Sequence, residues 1–357
     1  MTIVSKVIRG KTYYYYEDWK NGKSVTTYIG DMANNPEALT KHLENLYKIA
    51  GIFSDDKYWF DEYTQNPLTL RILKLTKSLY QALRSNIPIS EIETDLFVRY
   101  VHTTTALEGC TLDLAETRNL LSESELTPNN KPFRDAQAVF NYKAVKRYID
   151  NYHGDVNEKF VLQLHRLIMN NLDEGTVAEY RKTGKRGIPG VNHPTWTEIP
   201  GEMNKLITWF HEKKEEYLHP IELACRFHCR FEEIHPFHDG NGRVGRALLD
   251  YMLRNEGYAT IFIPIAEKPN YITALRAANT RPGKKNNYVP IIDFTIDRMT
   301  ETFIHIFKKS GMVQTFKSAE FKQFAIGLLP VSEEIFEHFI ETLDKYQEHD
   351  DYQLGQV

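Results

Sequence analysis

Cysteine is scarce in this sequence: the 357 residues include only Cys110, Cys225 and Cys229. Three cysteines cannot form a fully paired disulfide framework, so the fold is expected to rest on a packed core. Cys225 and Cys229 are four residues apart in an apolar helical pattern, with His228 between them. A metal site there needs more ligands than this local cluster supplies, and buried, reduced core cysteines are the simpler interpretation.

An excess of charge of either sign is also missing, since 44 Lys and Arg residues are balanced by 48 Asp and Glu residues, for a net charge of −4. This balance gives no electrostatic reason to expect non-specific binding to nucleic acid or to an anionic membrane. No window approaches the ~18 to 20 apolar residues of a membrane-spanning helix, and the first residues lack the apolar region of a secretory signal. The sequence therefore predicts a cytoplasmic protein without a membrane partner.

Internal repeats, Gly/Ser linkers and low-complexity segments are absent as well. The chain is 41% hydrophobic and 26% charged, which is the mixture of an ordinary globular protein rather than of a disordered or fibrous chain. At about 150 residues per domain, its length allows roughly two units with a sizeable core.

Residues 3 to 30 carry a β pattern. Runs of β-branched and aromatic residues at 11–16 and 24–29 flank Asn21-Gly22, a pair typical of the type I′ turn. The sequence therefore predicts a small N-terminal β-hairpin module. It could be a structural cap on the next domain or an appended recognition or oligomerisation module.

The remainder of the chain is predicted to be mainly α, because from residue 35 onward apolar residues recur with a period near 3.6. The stretch 185–200 is the exception: two glycines and three prolines between helical segments predict a hairpin or flap. The last segment, 317–357, has an apolar helical stretch that could pack on the core or form a homodimer interface.

The most informative segment runs from Ile234 to Arg246 and reads IHPFHDGNGRVGR. Upstream, apolar residues follow a helical spacing that must end near His235, because Pro236 disfavours helical geometry before it. Downstream, a new helix begins near Arg243. The glycines and Asn241 therefore lie in a tight loop at a helix N-terminus, where unpaired backbone N–H groups and the helix dipole favour an anion.

Charged residues within this loop suggest what the anion is. Arg243 and Arg246 are three residues apart on the first turn and can both point at a polyphosphate, while Asp239 offers a hard oxygen ligand for Mg²⁺. His235 is placed to take a proton from an incoming hydroxyl group. A base, a metal ligand, an anion cradle and two arginines together indicate nucleotidyl or phosphoryl transfer; a structural loop with a capping Asp is the alternative.

The string His235–Arg246 resembles the signature of the Fic (filamentation-induced-by-cAMP) family, HPFx(D/E)GNGRxxR, at every fixed position. The resemblance extends from about Asp95 to Met299. It implies a Fic-type helical bundle with a β-hairpin flap over the site, and AMP transfer from ATP to a protein hydroxyl. Together with the residue patterns described above, it predicts four regions: the N-terminal β-hairpin module at 1–32, a helical region at 33–94, the Fic core at 95–299 and a C-terminal helical extension at 300–357.

By the same resemblance, each residue of the signature has a role. His235 is the catalytic base, and Asp239 holds Mg²⁺ between the α- and β-phosphates of ATP. The anion hole is lined by Gly240, Asn241 and Gly242. The outer phosphates are held by Arg243 and Arg246.

Far upstream, Thr104–Gly109 reads TTALEG and resembles the family's inhibitory helix, (S/T)xxxE(G/N). The resemblance implies that Glu108 pairs with Arg246 and denies that arginine to the γ-phosphate. Cys110 stands where many members have Asn. The alternative is an ordinary exposed glutamate at a helix end before the C′ glycine, Gly109.

Two further features follow from the resemblance. Tyr271 and Asn279 are expected to hold adenine, although a core tyrosine and a capping asparagine would show the same pattern. The flap around residues 185–191 is expected to pair with an extended target segment through backbone hydrogen bonds.

The sequence thus predicts an enzyme, a protein adenylyltransferase that moves AMP from Mg·ATP to a Ser, Thr or Tyr hydroxyl of an unidentified protein, or of itself. Glu108 is expected to hold the activity back, and an activated water could reverse the reaction at the same site. A branch of the family transfers phosphate instead, but it carries Lys where this chain has Gly242. An alternative of a different class is a nucleotide-sensing binding protein whose N-terminal hairpin recognises a partner or nucleic acid.

Overall fold

The computed structural model describes residues 2–8, 11–20, 23–30, 58–61, 63, 67–86, 89–122, 131–172, 177–183, 187–188, 190–279, 286–319, 321–322 and 332–345. The chain divides into two compact units. The first unit holds the described residues of 1–56, 66–93 and 300–352, and the second holds those of 57–65 and 94–299. No helix in the described ranges is long and apolar enough to cross a membrane.

The first unit begins with an antiparallel three-stranded sheet of order β1-β2-β3. Its strands are β1 (Thr2–Ile8), β2 (Lys11–Lys20) and β3 (Lys23–Gly30). The register shifts between Tyr14 and Tyr15, where β2 pairs with β3. The sequence prediction of a two-stranded hairpin was one strand short, because β1 pairs with β2 on its other edge.

The first unit also contains α1 (Pro67–Asn86), the first residues of α2 (Ser90–Ala106) and the last part of α10 (Val289–Lys309). Two later helices, α11 (Val313–Phe316) and α12 (Glu333–Lys345), complete it. Phe316 lies at the centre of its aromatic packing, with ring centroids 5.0 Å from Phe307 and 5.8 Å from Phe339. The apolar face of α12 is therefore buried within its own chain.

The second unit is helical in its described parts. Its helices are the rest of α2, α3 (Leu114–Ser122), α4 (Phe133–Asp150), α5 (Glu158–Ile168), α6 (Ile199–Glu215), α7 (Pro220–Ile234), α8 (Asn241–Asn255), α9 (Lys268–Ala278) and the first part of α10. A 3₁₀ turn, Ile265–Glu267, precedes α9. The α7–α8 pair lies at the centre, with α6 packed against α7 and α5 against α8.

Helix α7 begins and ends where local sequence dictates. Pro220 occupies the first turn, and the His219 side chain accepts a hydrogen bond from the Ile221 amide. Its predicted apolar stripe is buried, including Phe227 and Phe231, both 0% exposed. The helix ends at Ile234, which confirms the end predicted from Pro236.

The predicted β-hairpin flap is not confirmed. Among residues 181–198, the described ones form bends, turns and irregular backbone without a strand; residues 184–186 and 189 lie outside the described residues. A strand needs a partner for its amides, and the prolines and glycines of this segment oppose such pairing. Side chains anchor it instead: His193 Nδ1 lies 2.7 Å from the Glu233 carbonyl, and Arg181 donates to the Pro194 carbonyl at 2.8 Å.

Asn141 on α4 is hydrogen-bonded to the C-terminal end of α5. Its Nδ2 donates to the carbonyls of Ile168 and Asn170, both at 2.8 Å, and the residue is 4% exposed. We expect Asn141→Ala to lower the free energy of unfolding by about 1 to 3 kcal/mol, because two carbonyls lose a buried donor. Urea denaturation measures this loss.

The matched control for this substitution is Asn151→Ala. Asn151 Nδ2 also donates to a carbonyl, that of Arg147 at 2.7 Å, but at an exposed position. We expect a change of about 0.5 kcal/mol or less there. Equal losses in the two variants would mean that Asn141 does not stabilise the end of α5.

Candidate active site

The loop between α7 and α8 is fixed by its own residues. Asn241 accepts a hydrogen bond from the Phe237 amide and donates one to the Phe237 carbonyl, both at 2.8 Å. Gly240, the N-cap of α8, has φ +82°, and a Cβ there would meet the Met169 sulfur at 2.7 Å. No side chain caps α8, so its first amides and its positive dipole end face the loop.

His165 on α5 contacts two residues of the loop. Its Nδ1 accepts from the Ala178 amide at 2.9 Å, so its Nε2 carries the proton and donates to the Asp239 carbonyl at 3.1 Å. Its ring stacks on Phe237, with centroids 3.7 Å apart and an interplanar angle of 8°. His165 therefore fixes the backbone position of Asp239.

Arg181 is a second support. Its Nε donates to the His235 carbonyl at 2.9 Å, and its backbone amide donates to the Pro236 carbonyl at 2.8 Å. Burial lowers the pKa of the Arg181 guanidinium. The charge nevertheless remains at neutral pH, because an arginine begins far above it. Arg181 thus fixes the carbonyl groups of the first two residues of the signature, His235 and Pro236.

His235 follows α7 directly and adopts a left-handed backbone conformation, φ 49° and ψ 61°. This conformation is uncommon for a residue with a Cβ and tends to occur at functional sites. Burial, followed by the neighbouring His193, lowers the pKa of His235 to about 4. The imidazole is therefore neutral at physiological pH and able to accept a proton.

Asp239 lies four residues after His235, and its carboxylate has three donors. Oδ1 accepts from the Gly240 amide at 2.7 Å and from Arg243 Nη2 at 3.2 Å, while Oδ2 accepts from Arg134 Nη2 at 3.1 Å. Burial alone would raise the pKa of Asp239, but the arginine charges and the amide outweigh it and hold the pKa below its ordinary value. The carboxylate is therefore ionised at neutral pH.

Arg243 is buried beside Asp239. The residue is 5% exposed, and its Nε has no hydrogen-bond partner among the described residues. A buried guanidinium with an unused donor is costly unless an acceptor approaches it. The donor set fits an anionic ligand.

Arg246, one turn further along α8, is bound to α2. Its Nε donates to Thr104 Oγ1 at 2.8 Å, and its Nη2 donates to the Thr104 carbonyl at 3.1 Å and to Glu108 Oε1 at 2.7 Å. The Arg246 side chain is 7% exposed and that of Glu108 is 36% exposed. Burial alone would raise the pKa of Glu108, but Arg246 holds it below its ordinary value.

Gly242 leaves the space in which this ion pair lies. A Cβ at that position would meet Glu108 Oε1 at 2.5 Å and Arg246 Nη1 at 2.9 Å. Gly109 has φ +95° and closes the end of α2, with the Cys110 amide bonded to the Thr105 carbonyl. The glutamate therefore lies directly before the glycine that closes the helix end.

Tyr271 and Asn279 are both buried and have internal partners. Tyr271 lies on α9 with its hydroxyl 2.6 Å from His228 Nε2. Helix α9 ends at Ala278, so Asn279 is the residue after it, and its Nδ2 donates to the Leu275 carbonyl at 2.7 Å. The carbonyl oxygen of the Asn279 side chain is buried without a partner among the described residues.

The two cysteines of α7 lie in the core. Cys225 and Cys229 are free thiols, 0% exposed, and Cys225 Sγ donates to Thr295 Oγ1 at 3.2 Å. In the described part of the chain, no group of three or more His, Cys, Asp or Glu side chains could hold a metal ion.

Sequence reasoning missed His165, Arg181, Arg134 and the buried Glu232 on α7. The first three lie between 54 and 105 residues before the residues they contact, and no fixed spacing links them to the signature. Only Glu232 carried a local signal, because it is charged yet lies three residues before His235 in an apolar helical pattern.

Fold and site together define a mainly helical protein with a glycine-containing loop at an uncapped helix N-terminus, flanked by a neutral histidine and an ionised aspartate. Residues 155–253 match the family model described as the Fic/DOC family. The chain therefore carries a Fic domain.

Curated relatives agree with this assignment. The chain is 26% identical over 272 residues to protein adenylyltransferase Fic of Aedes aegypti, covering 69% of this chain and 54% of that protein. It is also 26% identical over 216 residues to protein adenylyltransferase fic-1 of Caenorhabditis elegans, covering 59% of this chain and 42% of that protein. The chain thus spans about half the length of these relatives.

Solved structures share the fold. A Fic domain containing signaling protein from Bacteroides thetaiotaomicron matches with a TM-score of 0.60 at 24% identity, covering 67% of this chain and 96% of that one. Fic-1 (residues 134–508) from C. elegans matches with a TM-score of 0.58 at 22% identity, covering 79% of each chain.

Proposed function

We propose that this protein is a protein adenylyltransferase that moves AMP from Mg·ATP to a Ser, Thr or Tyr hydroxyl of a protein target, and that Glu108 holds the activity back. One observation carries the proposal: Arg243 and Arg246 are both buried at the uncapped N-terminus of α8, beside a neutral His235. The names of the curated relatives support the same reaction. All of the proposed site residues lie in the second unit, which supports 95–299 as the catalytic core.

The proposed reaction uses each residue of the loop. The amides around Gly240, Asn241 and Gly242 bind the phosphates at the start of α8, and Arg243 and Arg246 bind the outer ones. The target hydroxyl gives its proton to His235 and forms a bond to the α-phosphorus. The bond between that phosphorus and the bridging oxygen breaks, and pyrophosphate leaves.

Asp239 is proposed to hold Mg²⁺. Mg²⁺ commonly binds through one or two carboxylates together with substrate phosphates and water, and one ionised carboxylate beside an anion site fits that set. The bound ion would neutralise charge on the phosphates. Arg134 and Arg243 also contact this carboxylate.

We expect Asp239→Ala to transfer AMP slowly and to lose its response to added Mg²⁺, because no other carboxylate lies inside the loop. The labelling rate as a function of Mg²⁺ concentration measures this. Arg134→Ala is the matched control, because it removes the ion pair but keeps the carboxylate. Retention of the normal Mg²⁺ dependence in Asp239→Ala would place the metal elsewhere.

Autoinhibition is proposed from the contact between α2 and α8. While Glu108 occupies Nη2 of Arg246, that arginine cannot bind the γ-phosphate, and ATP is held with its α-phosphate misaligned.

Tyr271 and Asn279 are proposed to bind adenine, and the carbonyl oxygen of Asn279 is an acceptor without a partner in the described structure.

The proposed reaction is tested with ATP labelled at the α- or the γ-phosphate, incubated with Mg²⁺, a protein extract and the Glu108→Gly variant. Labelling of protein from the α position alone supports AMP transfer. Labelling from the γ position indicates phosphate transfer, and no labelling from either indicates a nucleotide sensor. Loss of an existing label on wild-type protein would indicate the reverse reaction, with a water oriented by Glu108.

A further inference from the structure

Glu232 is a buried carboxylate in the last turn of α7 that the proposed mechanism does not use. Its side chain is 4% exposed, and its Oε1 has no hydrogen-bond partner among the described residues. Burying a carboxylate without a full set of partners is costly, so natural proteins seldom keep one without a role. Its neighbours indicate what that role is.

The imidazole of His235 lies close to the Glu232 carboxylate. Glu232 Oε2 lies 4.0 Å from His235 Nδ1, three residues further along the chain. This distance is about one ångström longer than a hydrogen bond, and catalytic hydrogen bonds are often long before the substrate binds. The other ring nitrogen, Nε2, is not the one that faces this carboxylate.

Helix α8 makes room for the carboxylate. A Cβ on Gly245 would meet Glu232 Oε1 at 2.4 Å and two atoms of the His228 ring at 3.0 Å. Gly245 lies at one of the variable positions of the signature, and a larger residue there would displace the carboxylate. Glu232 is therefore seated between the two central helices with one oxygen toward His235.

We propose, on the basis of the AMP transfer proposed above, that Glu232 is a positioning residue for His235. Its carboxylate holds the proton on Nδ1 and leaves Nε2 free as the base. When the target hydroxyl attacks the α-phosphorus, its proton passes to Nε2, and the Nδ1 proton stays on the ring. The resulting imidazolium is stabilised by the negative charge of Glu232.

The surrounding charges set the pH range in which Glu232 is ionised while His235 is neutral. Burial raises the pKa of Glu232 to about 7, against the opposing effect of Arg246 and with a smaller contribution from Glu108. His235 also faces His193 and Arg181, which oppose its protonation, and the backbone of Glu232 and the carboxylate of Glu108, which favour it. Above about pH 7, Glu232 is therefore ionised and His235 is neutral, which is the state that the proposal requires.

The direct test is ¹⁵N NMR of the histidine rings of the full chain without nucleotide, with the His235 signals assigned by their loss in His235→Ala. Wild type is expected to show His235 as the Nδ1–H tautomer at pH 8. In Glu232→Gln at pH 8, the share of the Nδ1–H tautomer is expected to fall, because a neutral amide replaces the ionised carboxylate that favours a proton on Nδ1. An Nε2–H tautomer in wild type would overturn the proposal without any variant.

Glu222→Gln is the matched control for a lost buried charge. Glu222 is on the same helix, is 0% exposed and pairs with Arg226, ten residues before Glu232. It is expected to leave the tautomer of His235 at pH 8 unchanged. The same tautomer populations in wild type, Glu222→Gln and Glu232→Gln would contradict the positioning role.

Kinetics in the Glu108→Gly background give an independent readout. Glu232→Gln is expected to lower kcat for AMP transfer about 10- to 100-fold with KM for ATP nearly unchanged, because Glu232 positions the base and not the nucleotide. Gly245→Ala should act in the same direction by displacing the carboxylate. If NMR gives the expected tautomer while no variant transfers AMP, the positioning role stands and the proposed function fails.

Discussion

In the Glu108→Gly background, His235→Ala is expected to reduce the rate of AMP transfer by about 10²- to 10⁴-fold, the usual contribution of a positioned general base. The reason is specific to this site. The His235 ring is neutral at physiological pH because burial and His193 lower its pKa to about 4, so it can accept the hydroxyl proton. The rate of labelling from α-labelled ATP measures the loss.

Stability separates this loss from a loss of fold. The backbone of His235 is held by Arg181 through the His235 carbonyl, a contact that alanine retains. We therefore expect a thermal unfolding temperature close to that of the parent. His238→Ala is the matched control in the same loop and should keep near-parental activity. Full activity in a folded His235→Ala protein would remove the proposed mechanism.

Glu108→Gly is expected to raise AMP transfer over wild type by roughly 5- to 30-fold. The ion pair joins a buried arginine to a carboxylate that is 36% exposed, so solvent screens part of it. We take about 1 to 2 kcal/mol for the free energy of the ion pair, which corresponds to roughly 5- to 30-fold in the fraction of molecules with Arg246 free to bind ATP. Self-labelling from α-labelled ATP, with the Glu108→Gly, His235→Ala double variant as background, measures the increase.

Glu108→Gln provides the graded control. It keeps an oxygen that can accept from Arg246 but removes the charge, so its rate should lie between those of wild type and Glu108→Gly. A rate below wild type in Glu108→Gly would instead make Glu108 a participant in transfer. An unchanged rate in Glu108→Gly would mean that Glu108 only lies at the end of a helix and does not inhibit transfer.

The inhibitory contact should also depend on pH. Arg246 holds the pKa of Glu108 below its ordinary value. The ion pair is therefore fully present when the pH is above the ordinary pKa of glutamate, and it is lost as the pH falls through the lowered pKa of Glu108. At neutral pH the contact is therefore fully formed, and proton concentration does not release it there.

The signature loop was predictable from sequence because its residues are contiguous. Pro236 ends α7, Gly240 permits the positive φ at the N-cap, and the Asn241 side chain bonds to Phe237, four residues away. Local geometry of this kind follows from residue type and spacing. The contact between Glu108 and Arg246 spans 138 residues, and a motif, not a physical spacing rule, pointed to it.

Other parts depended on tertiary contacts that no pattern encodes. His165 acts through a stacked ring and a carbonyl 74 residues away, and Arg134 reaches Asp239 across 105 residues. Strand β1 was missed as a separate strand because the hairpin signal at Asn21-Gly22 marks only the turn between β2 and β3. The flap prediction relied on the glycines and prolines between helical segments and on the family resemblance, but Gly187 packs against the ring of His193 in a bend.

The most direct test of AMP transfer under the control of Glu108 is intact-mass and peptide mass spectrometry of the Glu108→Gly protein, incubated with Mg·ATP and an acceptor protein from extract. The account predicts a hydroxyl side chain that has gained the mass of one AMP, at a level well above wild type and absent with His235→Ala. Addition of a phosphate mass, or equal modification in wild type and Glu108→Gly, would contradict it.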